Sequence, residues 1–370
     1  MGYRRFEHAR IAGVSAAVPS QVRLNDDLPG DSTEIGRTAK LCGIEARHVA
    51  PDGVCASDLC FTAANHLLDG LGWARESIDM LIFLSQTPDY IVPATSCVLQ
   101  HRLGLSQRCA SFDMSLGCSG YIYGLMVAFG MVAPEGVRRV LLLVGDTPSK
   151  LISPHDVPAN VLFGDAGTAT AIEYDDDAGS SYFFAGTDGI GGRSLIIPAG
   201  GYRMPRSGES AIRRPHPADQ VVRSDEDLYM DGSAVFSLTL NHVPNLVREL
   251  SVVSGWSVDS IDHWLFHQAN RFMLDHFSRK LGIASERMLT NIERFGNTSP
   301  PSIPLLMVSE GLQSRVGDPT GHPGVISPPG VPTVLIGGLP AATVGTPHVC
   351  SFPPPAVHPS TKPDAPPPPK

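Results

Sequence analysis

Three short stretches of the 370-residue chain hold side chains whose types suit covalent chemistry. In DMSLGCSGYIYG, Cys118 stands between Gly117 and Ser119, just ahead of an apolar run that predicts a buried helix. Small neighbours let another molecule approach the sulfur, and a helix N-terminus favours the thiolate. The same Gly-Cys-Ser-Gly pattern also suits close helix packing around a small buried thiol. In LFHQAN, His267 follows an apolar strand-like run and precedes a helical one. Strand-to-helix junctions are where α/β proteins often place functional side chains, although a satisfied structural histidine reads the same way. In RFGNTSPPS, Asn297 lies in a Gly-Asn-Thr-Ser turn, where asparagine also serves simply as a turn former or helix cap.

The elements that must position these residues alternate. Short apolar runs, MLIFLSQTP, RRVLLLVGDT and GTATAIEY, are separated by helical patterns, which predicts a layered α/β fold. The second half repeats the rhythm: an amphipathic stretch through AVFSLTLNHVPNLVRELSVVSG, a strand-like HWLFHQAN, a helix through RFMLDHFSRKLG, then IERFGNTSPPSIPLLM. Residues 1–175 are read as a first half carrying the cysteine, 176–228 as connecting loops rich in Gly, Ser and Pro, and 229–338 as a second half carrying the histidine and asparagine. Residues 339–370, ending in SFPPPAVHPSTKPDAPPPPK, have no periodicity that buries a face and read as a disordered tail.

Composition narrows the function. Hydrophobic residues make up 42% of the chain, enough for substantial cores. The net charge of -9, without a basic stripe, argues against nucleic acid. Seven irregularly spaced cysteines without a CxxC pair fit free thiols in a reducing, cytoplasmic compartment and no structural zinc. No apolar run is long enough to span a membrane.

In their order and approximate spacing, DMSLGCSGYIYGL, FGDAGTATAI, LFHQANRFMLDHFSRKLG and ERFGNTSPPSIPL resemble the thiolase-superfamily condensing enzymes, closest to β-ketoacyl-acyl-carrier-protein synthase III. The resemblance covers about residues 8–312. It implies the thiolase fold: two similar α/β halves in five α-β-α-β-α layers. It also implies a catalytic triad of Cys118, His267 and Asn297 with neither metal nor cofactor, acting on thioesters of acyl carrier protein or coenzyme A. Cys118 would carry the acyl group, while His267 and Asn297 would stabilise the enolate formed when a malonyl thioester loses CO2. An acyltransferase forming an ester or amide without decarboxylation, and a catalytically dead partner subunit, are the competing readings.

The resemblance further implies a homodimer in which Val92, within PDYIVPATSCVLQHRLG, lines the partner's acyl pocket. A valine there leaves room for a longer or branched acyl group. Arg271 is a candidate contact for a phosphopantetheine carrier. In contrast, STEIGRTAKLCGIEARH has no tryptophan, and Val157 stands where an arginine holding coenzyme A is expected, which disfavours that donor. Gly164 and Gly167 fit neither GxGxxG nor a P-loop and are read as packing glycines. The family's C-terminal glycine-rich turn starts at TVLIGG and is abandoned at LPAATVGTPHVC. Shifting the codons of residues 340–345 by two bases can spell Gly-Gly-Tyr-Ser-Trp, so a slipped reading frame near Leu339 is expected.

Overall fold

The computed structural model describes residues 2–28 and 30–312, and beyond them the backbone of two short strands, Val331–Ile336 and Leu339–Ala341. The tail discussed above therefore lies largely outside the described residues.

Five strands form the central sheet: β1 (Ala9–Ala17), β2 (Met80–Leu84), β3 (Ala110–Met114), β4 (Arg139–Asp146) and β5 (Ala166–Tyr174). Their spatial order is β1-β5-β4-β2-β3. Met80 lies in parallel register with both Val140 and Ala110, whereas β5 runs antiparallel to β4 and β1. The main helices are α1 (Ser32–Cys42), α2 (Ala56–Leu71), α3 (Thr95–Arg102), α4 (Gly120–Met131), α5 (Gly232–Ser254), α6 (Arg271–Leu281) and α7 (Ser302–Ser309).

The continuous apolar run MLIFL forms β2 because both faces of that strand are covered. Leu81 and Phe83 join Ala63 and Leu67 of α2 and Leu99 of α3 in one core. Ile82 and Leu84 join Tyr121 and Leu125 of α4 and Ile303 and Met307 of α7 in the other. Each of these large side chains stabilises the fold by roughly 1.5–3 kcal/mol on burial. The second core is the one that makes a site. It sets a helix from the first half beside a helix from the second, and the Tyr121 hydroxyl donates to Met307 Sδ at 3.7 Å.

Glycines let α4 sit close against the sheet. A Cβ on Gly120 would stand 2.6 Å from Leu84 Cδ2, and one on Gly124 would stand 3.0 Å from Leu142 Cδ1. The packing role expected of Gly164 and Gly167 is also seen. Side chains there would collide with the Phe295 carbonyl and with the backbone at Leu59 and Cys60.

The second half departs from the pattern in one place. HWLFHQAN, expected to be a strand, pairs only through Trp264, in a parallel bridge to Met288. Among the described residues no neighbouring strand extends that bridge, and the described second half contains α5, α6 and α7, the short helix Ile292–Phe295 and the strand Val331–Ile336. Within 176–228, Ser181–Ala185 pairs antiparallel with Gly2–Phe6.

Candidate active site

Cys118 occupies the turn immediately before α4, closed by the Gly120 N–H donating to the Gly117 carbonyl at 2.7 Å. Ser119 caps the helix by position only, without a side-chain hydrogen bond, so the first-turn N–H groups stay directed at the sulfur's end of the helix. Behind the turn, a Gly117 Cβ would meet Gln86 Oε1 at 2.5 Å. Gln86 belongs to a loop gathered around Asp146, whose Oδ1 accepts from Ser85 Oγ (2.8 Å), Gln86 N (2.7 Å), Thr87 N (3.2 Å) and Thr87 Oγ1 (3.1 Å).

Burial raises the Cys118 pKa, but the neighbouring His267 imidazole and the Ser299 hydroxyl outweigh it, and the thiol titrates below its ordinary range. Asp146 works weakly in the opposite direction. Burial itself pushes the Asp146 carboxyl up to about 6, against the hydrogen bonds that lower it.

His267 is held by its own motif. Gln268 is fully buried, its amide nitrogen donating to the Phe266 carbonyl and its Oε1 accepting from Asn291 N. Asn270 caps α6 by accepting from Met273 N at 2.9 Å. His267 Nδ1 lies 2.7 Å from Ser302 Oγ, while Nε2 is buried without a hydrogen-bond partner among the described residues.

Asn297 is fixed from both sides. Its N–H donates to the Leu162 carbonyl and its carbonyl accepts from Gly164 N, forming a parallel bridge between the halves at Phe163. Its Oδ1 accepts from Ser299 N at 2.9 Å, and Ser299 adopts a left-handed φ of 64° within that turn. Gly296, at φ 65°, leaves no room for a Cβ, which would stand 2.7 Å from the Leu162 carbonyl and 2.9 Å from Arg47 Cγ. The buried Arg47 thus braces the asparagine loop, itself held by Asn25 Oδ1 at 2.9 Å.

The three residues line one cavity of about 570 Å³, within the range of small-molecule sites. Its walls are mostly apolar: Phe236 and Val243 from α5, with Thr239 turning its hydroxyl to the Val235 carbonyl, and Met273 and Phe277 from α6. Leu41, Leu195 and Phe272 line it while remaining substantially exposed, which makes them its rim.

The other two expected residues lie apart. Val92 is 80% exposed and does not line the cavity, so within one chain it is not brought to Cys118. Arg271 opens α6, and its stem packs against Gly43 at the end of α1. Its guanidinium makes no ion pair among the described residues. Val157 begins the short helix Val157–Leu162 and does not line the cavity. No group of His, Cys, Asp and Glu among the described residues is arranged to hold a metal.

Sequence reasoning missed Ser299, Ser302 and the rim residues. Ser302, following two prolines, looks only like a helix start. Leu41 and Phe272 look like ordinary exposed apolar residues.

Residues 112–189 match the family pattern of 3-oxoacyl-[acyl-carrier-protein (ACP)] synthase III, and residues 253–318 match that of its C-terminal part. A β-ketoacyl-[acyl-carrier-protein] synthase III of Streptococcus equi subsp. equi is 34% identical over 310 residues, 83% of this chain and 90% of that one. A crystal structure of 3-oxoacyl-(acyl-carrier protein) synthase from Burkholderia xenovorans superposes with a TM-score of 0.78 at 43% identity, covering 84% of this chain and 87% of that one. The chain belongs to the 3-oxoacyl-[acyl-carrier-protein] synthase III family. Within this synthase III chain, Cys118 falls inside the first matched stretch, and His267 and Asn297 inside the second. Residues 316–365 match a different pattern, the PAAR motif.

Proposed function

We propose that the protein is an acyltransferase of the 3-oxoacyl-[acyl-carrier-protein] synthase III type that carries out a decarboxylative condensation on Cys118. The observation that carries this reading is the convergence of Cys118, His267 and Asn297 on one apolar cavity. The Cys118 thiolate attacks the carbonyl of an acyl thioester, the new C–S bond forms, and the donor thiol leaves. A malonyl thioester then loses CO2, and the electron pair left behind becomes an enolate whose oxygen is held by His267 Nε2–H and Asn297 Nδ2–H. The enolate carbon attacks the acyl carbonyl, a C–C bond forms, and the C–S bond to Cys118 breaks to return the thiolate.

The rim supports a carrier-protein donor over coenzyme A. Leu41, Leu195 and Phe272 offer nothing to phosphates, and Arg271, beside the rim, is available for the single phosphate of a phosphopantetheine arm. A homodimer is supported by β3, which among the described residues is one of the two edge strands of the sheet, and by Tyr90, Ile91 and Val92, all well exposed. The six described cysteines are free, which fits a cytoplasmic location.

Residues 316–365 read as a separate PAAR-type module joined in frame. A family pattern running continuously across Leu339 supports this over a slipped frame, which would scramble such a pattern.

The test is intact-protein mass after incubation with an acyl thioester, alongside CO2 release from a malonyl thioester. An acyl adduct on Cys118 with CO2 release and a two-carbon-longer product supports condensation. Acyl transfer to an alcohol or amine without CO2 marks the simpler acyltransferase, and no adduct marks a dead subunit.

A further inference from the structure

We propose that Ser302 is a positioning residue that fixes the neutral imidazole of His267 as the Nε2–H tautomer. The inference rests on the reading of His267 as an enolate-stabilising donor, and it follows from counting protons at one oxygen.

Ser302 is buried at the first position of α7. Its hydroxyl oxygen has two neighbours, the Gln268 N–H at 3.3 Å and His267 Nδ1 at 2.7 Å. A backbone N–H only donates, so Oγ accepts from Gln268. The hydroxyl then has a single proton and, among the described residues, no other acceptor within hydrogen-bond range. That proton goes to Nδ1, which must therefore present its lone pair. The ring's remaining proton is on Nε2.

The reverse assignment fails on the same count. Were Nδ1 protonated, Oγ would accept from both neighbours and its own buried proton would be stranded, while Nε2 would turn a lone pair toward the developing enolate oxygen and repel it. Nε2 is the buried nitrogen without a partner, and His267 lines the Cys118 cavity. Gln268, being fully buried with both amide ends bonded, keeps its backbone N–H aimed at Ser302 and so enforces the count.

The experiment reads the tautomer directly. Nitrogen-15 imidazole correlations are recorded for the full chain near pH 8, with the His267 signals assigned by their disappearance in His267→Gln. The expected result is a protonated Nε2 and an unprotonated Nδ1. Ser302→Ala should give mixed or reversed tautomer signals and slow malonyl decarboxylation about tenfold or more, as loss of an orienting partner typically does, while acylation of Cys118 from a thioester continues. Ser302→Thr, which keeps the hydroxyl, should restore both the signal and the rate. A protonated Nδ1 in the parent protein, or a tautomer unmoved by Ser302→Ala, overturns the proposal. If the tautomer changes and decarboxylation does not, Ser302 has the role assigned here and it is the enolate role of His267 that fails.

Discussion

The Asn297 amide oxygen is committed to the backbone N–H of Ser299, at 2.9 Å, so the amide nitrogen of Asn297 is the end left for the cavity. The turn from Asn297 to Ser299 thus decides that a donor, rather than an acceptor, faces the cavity.

Asn297→Ala should leave Cys118 able to take an acyl group while slowing CO2 release from a malonyl thioester by at least about 100-fold, the usual loss for one oxyanion donor. Intact mass and CO2 release measured on the same sample separate the two. Decarboxylation at the parent rate would remove Asn297 from the enolate step.

The pH dependence of Cys118 has a definite sign. Its thiol titrates below the ordinary value of 9.0, so the thiolate fraction rises earlier as pH increases. Iodoacetamide labelling of Cys118 should reach half its maximal rate below pH 9, and His267→Ala should move that midpoint upward. An unmoved midpoint would show that the imidazole does not support the thiolate.

Asp146 should reveal itself in stability. In the unfolded chain its carboxyl ionises near 3.8, in the folded protein near 6. Between these values the folded state keeps a proton that the unfolded state has released, so stability falls as pH rises through this window and stays lower above it. The fall is at most on the order of 3 kcal/mol. Asp146→Asn does not titrate and should lose less stability than the parent between about pH 4 and pH 7 in urea unfolding; parallel profiles would contradict the assignment.

Gly120→Ala should destabilise the protein by about 1–3 kcal/mol, since the added methyl must displace Leu84 at 2.6 Å or shift α4 off the sheet. A thermal unfolding shift within error of zero would mean that α4 is less tightly seated than described.

The rim predicts donor indifference to the nucleotide. Acyl-coenzyme A and the same acyl group on 4′-phosphopantetheine should react with Cys118 at similar kcat/KM, because Leu41, Leu195 and Phe272 give the nucleotide no purchase. Leu41→Arg should favour acyl-coenzyme A by several-fold. A strong preference for coenzyme A in the parent protein would refute the carrier-protein reading.

The convergence of Cys118, His267 and Asn297 on one cavity was legible through the family resemblance carried by three short motifs, Gly-Cys-Ser-Gly, His-Gln-Ala-Asn and Gly-Asn-Thr-Ser, each of which keeps its residue beside the neighbours that position it locally. The β2 run was legible for a similar reason, since five consecutive apolar residues need cover on both faces. Ser302 was not, because its partner His267 lies 35 residues away and only the packing of α7 brings the two together. The cavity walls from α5 were hidden too, as an amphipathic pattern does not say whether its apolar face meets protein or an acyl chain. HWLFHQAN misled because a strand also needs a neighbour, which its own sequence does not supply.

The Tyr121–Met307 contact joins residues 186 positions apart, and it belongs to the packing of α4 against α7 on one face of the sheet. Contacts of such high sequence separation slow folding, because the chain loses loop entropy before they can form. While the first half is being synthesised, Cys118 lacks both the imidazole and the hydroxyl that lower its pKa. The lowered pKa of Cys118 therefore depends on the second half, which supplies both groups.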